Sequence, residues 1–206
     1  MRQVTGSNHT TTVNKESIQL PLDGLLFIGG SVPACNETED TIVEVELLTS
    51  KSIIVPSECF EPTLADSLLL LSGLGCTDAE QPVWSNDCDD IVAVMAIRKE
   101  IAAELDARFG DRLQYTSPLL RSVKACDGLY LYIYNATGVA YFKLYDGAKL
   151  RFCEAMSVVG NDDILCIVER LVQEFGCKGL EIGIAGENSE NLVGLLKQYH
   201  KVKICE

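Results

Sequence analysis

Residues 129–205 carry three alternating apolar segments followed by a helix, a strand, a helix and a strand, and few architectures accommodate that order. In the first segment, 129–134, Tyr130, Tyr132 and Tyr134 fall at every second position, which makes a two-faced strand. A turn at Asn135-Ala136-Thr137-Gly138 leads to a second strand at 139–145, and Asp146-Gly147 turns the chain into a third at 149–156. These three form an antiparallel meander. Asn161 or Asp162 caps a helix that runs to about Phe175, with Ile164, Leu165, Val168, Leu171 and Val172 on one face and Gly176 past its end. A strand at 180–185, a helix at 189–199 and a strand at 202–205 complete the order βββαβαβ.

The first half repeats it. Ile18, Leu20 and Leu22 alternate with polar or small residues, Asp23-Gly24 supplies a two-residue hairpin turn, and 25–28 return. A third strand at 41–48 alternates through Ile42-Val43-Glu44-Val45-Glu46-Leu47, and a short run at 52–55 stops at Pro56. Pro62 opens a helix that Gly73 closes, as helix termini prefer. A strand at 90–97, a helix at 98–109 stopped by Gly110 and a strand at 112–116 follow. Residues 1–15 offer only Val4 and Val13 for burial and cannot offset the entropy of ordering themselves. The expected organisation is a disordered tail at 1–15, a first subdomain at 16–117, a connector at 118–127 and a second subdomain at 128–206. Within the connector, Leu119-Leu120-Arg121-Ser122-Val123 reads as a short helix.

A meander followed by alternating helices and strands is the plan of the ribonuclease-H fold, and two such units in tandem make the actin and sugar-kinase architecture. Particular residues strengthen that reading: Ser17-Ile18-Gln19-Leu20-Pro21-Leu22-Asp23-Gly24-Leu25, Ser52-Ile53-Ile54-Val55-Pro56-Ser57-Glu58-Cys59-Phe60, Tyr115-Thr116-Ser117-Pro118-Leu119-Leu120 and the Asp146-Gly147-Ala148-Lys149-Leu150 turn. In that order and spacing the chain, over 17–206, resembles a family of uncharacterised bacterial proteins assigned an actin-like ATPase fold. The resemblance implies an α/β fold with mixed sheets, two tandem βββαβαβ ribonuclease-H-like subdomains in an actin-like ATPase architecture. It supplies no catalytic residues, and it implies kinship, by fold only, with the actin-like adaptor of the type IV pilus machinery.

Charge narrows the partners. Thirty acidic against 17 basic residues give a formal charge of −13, whose field repels phosphate backbones and anionic headgroups, so nucleic acid is a poor partner. No apolar run reaches the roughly 18 residues of a membrane span, and the first residues lack the apolar core of a signal peptide. The nine cysteines, Cys35, Cys59, Cys76, Cys88, Cys126, Cys153, Cys166, Cys177 and Cys205, are odd in number and form no C-x-x-C pair. Cys166 lies within the apolar run Ile164-Leu165-Cys166-Ile167-Val168. Buried, reduced, structural thiols in a cytoplasmic protein are expected.

An actin-like ATPase needs two hairpin turns whose backbone N–H groups grip phosphates, each led by an Asp that positions Mg²⁺ or water. Of the equivalent turns, Asp23-Gly24-Leu25-Leu26 is tight and becomes apolar, and Asn135-Ala136-Thr137-Gly138 has Asn in place of the carboxylate. The loop Ala185-Gly186-Glu187-Asn188 occupies the place of the adenosine-contacting loop, where Glu187 repels phosphate. Asp162 and Asp163 suit a helix start better than a two-metal nuclease site. No Walker loop, G-x-S-x-G elbow or H-E-x-x-H motif is present. His200 reads as a surface residue at a helix end, and Trp84, the one tryptophan, as a core or half-buried packing residue before an interface anchor.

The function expected is therefore that of a non-catalytic, protein-binding or adaptor module without metal or cofactor, its partner in the cleft between lobes or on a strand edge. The enzyme alternative is a divergent nucleotide-binding ATPase or kinase-like protein that would hold ATP and Mg²⁺ on Asp23, Gly24, Asn135, Gly138 and Gly186. A third reading is an assembly role in which the acidic surface meets a basic partner.

Overall fold

Alternation along the first two strands puts Ile18, Leu20, Val43, Val45 and Leu47 on one face and Ser17, Gln19, Glu44 and Glu46 on the other. In the computed structural model, which describes residues 15–22, 41–123, 127–177 and 179–205, the first half contains β1 (Lys15–Pro21), β2 (Ile42–Leu48), β3 (Ser52–Pro56), α1 (Ala65–Leu71), β4 (Glu80–Trp84), β5 (Ile91–Arg98), α2 (Lys99–Phe109) and β6 (Leu113–Thr116). These form two three-stranded sheets, a parallel one ordered β1-β2-β6 and an antiparallel one ordered β3-β5-β4. Helix α2 closes the apolar face of the parallel sheet with Ile101, Ala102, Leu105 and Phe109, joined by Ala93, Met95 and Ile97 of β5. The other face of β5, Val92, Val94 and Ala96, receives Ala65 and Leu69 of α1.

This half departs in detail from the order read in the sequence. Strand β1 runs parallel to β2, in register from Lys15↔Ile42 to Pro21↔Leu48, and not as a neighbour within a meander. A parallel pair demands a crossover of a dozen or more residues; the Asp23-Gly24 turn and the return strand at 25–28 lie outside the described residues. Strand β4 falls where a polar loop was expected. Pro82 hides it, because proline argues against a strand interior, yet β4 is a sheet edge, where the missing N–H is tolerated. The helix expected from Pro62 begins as a 3-10 turn at Pro62–Leu64 and is α-helical only from Ala65 to Leu71. The connecting helix reduces to a 3-10 turn at Pro118–Leu120, whose start is capped by Ser117 Oγ accepting from Leu119 N at 3.3 Å. Residues 1–14 of the expected tail lie outside the described residues, and Lys15 already belongs to β1.

The second half follows the expected order. Strands β7 (Leu129–Ala136), β8 (Val139–Asp146) and β9 (Lys149–Ser157) form the antiparallel meander, and α3 (Asn161–Phe175), β10 (Glu181–Gly186), α4 (Ser189–Leu196) and β11 (Lys201–Ile204) complete it. The sheet order is β11-β10-β7-β8-β9, with β7, β10 and β11 mutually parallel. On one face Leu131, Ile133, Phe142, Ile182 and Ile184 pack against Ile164, Val168 and Leu171 of α3 and Leu192, Val193 and Leu196 of α4. On the other, Tyr130, Tyr132, Tyr134 and Tyr141 meet Leu48 of the first half and Leu119 of the connector. The tyrosine periodicity therefore marks the seam between the halves.

Three local expectations are corrected. The carboxylate that caps α3 is Asp163, whose Oδ2 accepts from the N–H groups of Val159 (2.7 Å) and Gly160 (3.3 Å); one turn of helix brings the third residue back to the first free amides. Cys166 is exposed, because it lies two residues from both Ile164 and Val168 and so faces away from the core stripe. Among the seven described cysteines, all free thiols, only Cys177 is fully buried. His200 is not a surface residue: its side chain is 12% exposed and its Nε2 lies 2.7 Å from Glu169 Oε1 of α3. Among the described residues no helix is long and apolar enough to cross a membrane.

The edge strand β11 is tied down electrostatically. Lys201 Nζ and Lys203 Nζ each donate to Glu181 of β10 at 2.6 Å, and together they hold that carboxyl at about 2, below its usual 4.5. A carboxyl whose pKa is depressed on folding stabilises the fold fully above its unfolded value and loses that contribution as pH falls toward the folded one. Glu181→Gln is therefore expected to lower the urea midpoint at pH 7 and to converge on the wild type as pH falls through about 2. A pH series of urea melts on the two proteins measures the convergence.

Candidate functional site

Two places carry polar groups at positions where α/β proteins bind ligands, one at the ends of parallel strands and one on the polar face of a parallel sheet. The first is the turn after β7. Parallel pairing of β7 with β10 sets Asn135 opposite Gly186, so the hairpin Asn135–Gly138 and the loop after β10 touch. Their polar groups satisfy one another. Asn135 Nδ2 donates to the Glu187 carbonyl at 2.8 Å, Glu187 N donates to the Asn135 carbonyl at 2.8 Å, and Thr137 Oγ1 donates to Glu187 Oε2 at 2.6 Å. Gly138, at φ +82°, makes the tight corner, and its carbonyl accepts from Val158 N at 3.0 Å. A carboxylate sits where a phosphate-gripping turn would receive its anion, and it repels one.

The second is a cleft of about 560 Å³ over the polar face of the β1-β2-β6 sheet. Parallel sheets ordinarily carry apolar residues on both faces, so the polar residues Ser17, Gln19, Glu44 and Glu46 on this face are informative. Ser17, Gln19, Glu46 and Thr116 line it from the strands, Asn86 and Cys88 from the loop after β4, and Arg121 from beyond β6. At its floor Glu46, 6% exposed, accepts two parallel bonds from Arg121, Nε to Oε1 at 2.7 Å and Nη2 to Oε2 at 2.6 Å. Gln19 Nε2 donates both to Glu46 Oε2 (2.8 Å) and to the Tyr134 hydroxyl of β7 (2.9 Å). The Arg121 guanidinium lies 3.9 Å from the centre of the Tyr134 ring, and the Arg121 carbonyl accepts from Lys143 Nζ at 2.7 Å. Burial disfavours charge on Arg121, but the Glu46 carboxylate outweighs it and raises the guanidinium pKa further. Burial pushes the Lys143 ammonium down. Above this floor Lys15 pairs with Glu44 at 2.5 Å. Each cation that lines the cleft is thus matched by a carboxylate, and Asp87 adds a further negative charge. Such a surface does not gather phosphates.

Of the residues that sequence reading assigned to a nucleotide, Asn135, Gly138 and Gly186 are brought together at the first place, while Asp23 and Gly24 lie outside the described residues. Gln19, Glu46, Arg121 and Tyr134 were not singled out as a group. Their signal was present singly: Glu46 stands in an apolar strand and Arg121 in an apolar connector, and a charge in either place needs a partner. Trp84, expected in the core or half-buried, is instead exposed at 38%, its ring tilted against Phe60 with centroids 5.8 Å apart at the sheet edge. Among the described residues no group of His, Cys, Asp and Glu is placed to hold a metal ion.

No family model matches the chain, and no curated protein matches it. Solved structures do. A protein from Bacteroides thetaiotaomicron, described as having an actin-like ATPase fold and unknown function, aligns with a TM-score of 0.66 at 14% identity, over 79% of this chain and 68% of that one. The PilM-PilN type IV pilus biogenesis complex aligns over 82% of this chain and 70% of that one at 14% identity, with a TM-score of 0.42. Pelota from Archaeoglobus fulgidus aligns over 56% and 35% at 15% identity, with a TM-score of 0.27. The last two superpose too loosely to bear on the fold. The first, taken with the sheet order of the second half, gives the chain the mixed α/β, actin-like ATPase fold that its sequence resembled.

Proposed function

We propose that this chain is a non-catalytic member of the actin-like fold that binds a protein partner, related to the uncharacterised bacterial proteins its sequence resembles. One observation carries the reading. Glu187 occupies the hairpin Asn135–Gly138, with its main chain on the Asn135 amide and its carboxylate on the Thr137 hydroxyl, so a phosphate there would have to displace an anion already bonded. The matched charges of the cleft support it. In this reading the chain works in the cytoplasm as two subdomains, at 16–117 and 128–206, and takes neither nucleic acid nor nucleotide. The expected result is that millimolar Mg-ATP leaves the thermal unfolding midpoint unchanged. A ligand at 100 times its dissociation constant adds about 2.7 kcal/mol, about 5 to 10 °C for a chain of this size, so a saturable rise would replace this reading with the nucleotide-binding one.

A further inference from the structure

Residues 52–97 contain eight Asp or Glu and no Lys, Arg or His. They build the antiparallel β3-β5-β4 sheet with α1, and the basic residues at either end are engaged, Lys51 with Glu80 at 2.5 Å and Arg98 with Glu100 at 2.6 Å. This unit also carries four of the large apolar side chains left in solvent: Leu64 (44% exposed), Leu70 (67%), Leu71 (85%) and Trp84 (38%). Ala65 and Leu69 turn α1 toward the sheet, so Leu64, Leu68 and Leu71, at i, i+4 and i+7, run along one flank of the helix. Val83 packs into the core under α2, which puts Trp84 on the α1 side of β4. Glu58 and Glu61, just before α1, Asp66 in its first turn and Asp78, between α1 and β4, are all exposed.

Isolated exposed leucines need no explanation, but a leucine flank beside the sole tryptophan, in a unit of one sign of charge, does. A second copy of the chain would bring the same acidic rim against itself, so like charges oppose self-docking. Apolar side chains at i, i+4 and i+7 match the spacing that a facing helix offers, and the acidic rim selects cations beside its apolar stripe. We propose that the Leu64–Leu68–Leu71 flank of α1, with Trp84 and its acidic rim, docks a basic amphipathic helix of a partner protein. The proposal rests on the protein-binding reading above and names its surface and the partner's chemistry.

Trp84 is the only tryptophan, so its emission reports on this surface alone. The probe is a Trp-free helical peptide with Leu on one face and Lys on the other, compared with its Leu/Glu counterpart. The Leu/Lys peptide is expected to change Trp84 emission saturably, more weakly as salt rises, and the Leu/Glu peptide to leave it unchanged. Leu64→Ser with Leu71→Ser, both exposed and so neutral for folding, is expected to weaken binding about tenfold, and Glu58→Gln with Glu61→Gln to reduce its salt dependence. Equal binding of both peptides, wild-type binding by the serine variant or no emission change would overturn the proposal. A dimer of the free protein that the serine variant abolishes would overturn it too. If any of these occurs while Mg-ATP leaves the unfolding midpoint unchanged, this surface alone is wrong; if Mg-ATP raises the midpoint, the reading beneath it fails.

Discussion

Gly186→Ala is expected to destabilise the protein by about 3 to 5 kcal/mol and to lower its unfolding midpoint by about 10 °C or more. Two independent causes add. The backbone at Gly186 holds φ at +90°, a conformation that L side chains rarely adopt. A methyl group there would lie 2.1 Å from the Asn135 carbonyl oxygen and 3.0 Å from its carbon, and that obstacle is backbone. It cannot swing aside, because the same carbonyl accepts from Glu187 N at 2.8 Å within the parallel β7–β10 ladder. Gly183→Ala, three residues earlier, provides the contrast. Its methyl group would lie 1.8 Å from the Tyr130 hydroxyl oxygen, 2.7 Å from Cζ of the same buried ring and 2.6 Å from Cys205 Sγ, all side-chain atoms, and the backbone at Gly183 is not in the left-handed region. A smaller loss of about 1 to 3 kcal/mol is expected there, because only side chains obstruct the methyl group and no backbone strain is added. Urea unfolding of the two variants side by side measures the difference, and equal losses would mean that β10 shifts as a unit to relieve either clash.

These glycines also show where sequence reading succeeds and where it stops. The second half was legible element by element because its signals are local and unbroken: period-two tyrosines, a Thr137–Gly138 corner, Asp146-Gly147, and an apolar stripe of period 3.6 in α3. What those signals omit is phase and direction. The run from Ile164 to Val168 reads as uniformly apolar, but the helix turns Cys166 outward. Alternation in β1 and β2 marks two-faced strands without saying whether they pair parallel or antiparallel, and here they pair parallel. In β4, Pro82 masked a strand that exists because it is an edge.

The candidate site was legible in part. Asp23, Gly24, Asn135, Gly138 and Gly186 form the expected constellation; the first two lie outside the described residues, and the sheet register sets Asn135 beside Gly186. That Glu187 would fill the turn was visible only as an unwelcome charge, since its bonds to Asn135 and Thr137 span 52 and 50 residues. The floor of the cleft was less legible again. Glu46 and Arg121 are 75 residues apart, and Gln19 and Tyr134 are 115 apart. Nothing in local pattern pairs residues so distant; only the closure of one half on the other does.

That closure is what the second large effect would expose. Arg121→Met is expected to cost about 2 to 4 kcal/mol, toward the lower end of what breaking a buried pair costs, because the Arg121 side chain keeps 35% of its exposure while Glu46 keeps 8%. The substitution keeps much of the apolar volume over the Tyr134 ring but removes both bonds to Glu46 and the cation above that ring. Glu46 would then hold a buried carboxylate served by the Gln19 amide. Glu46→Gln removes that uncompensated charge, so the double variant Glu46→Gln, Arg121→Met is expected to recover about 1 to 2 kcal/mol relative to Arg121→Met alone. A double-mutant cycle by urea unfolding measures the coupling. An additive result would mean that Arg121 acts through its cation over the Tyr134 ring and not by neutralising Glu46. Because Gln19 and Glu46 belong to the first half and Tyr134 to the second, strong coupling would also make this cluster a principal polar link between the halves. The floor of the cleft would then be fixed by its own charge pair and by the Gln19–Tyr134 bond, the preorganisation a binding surface needs.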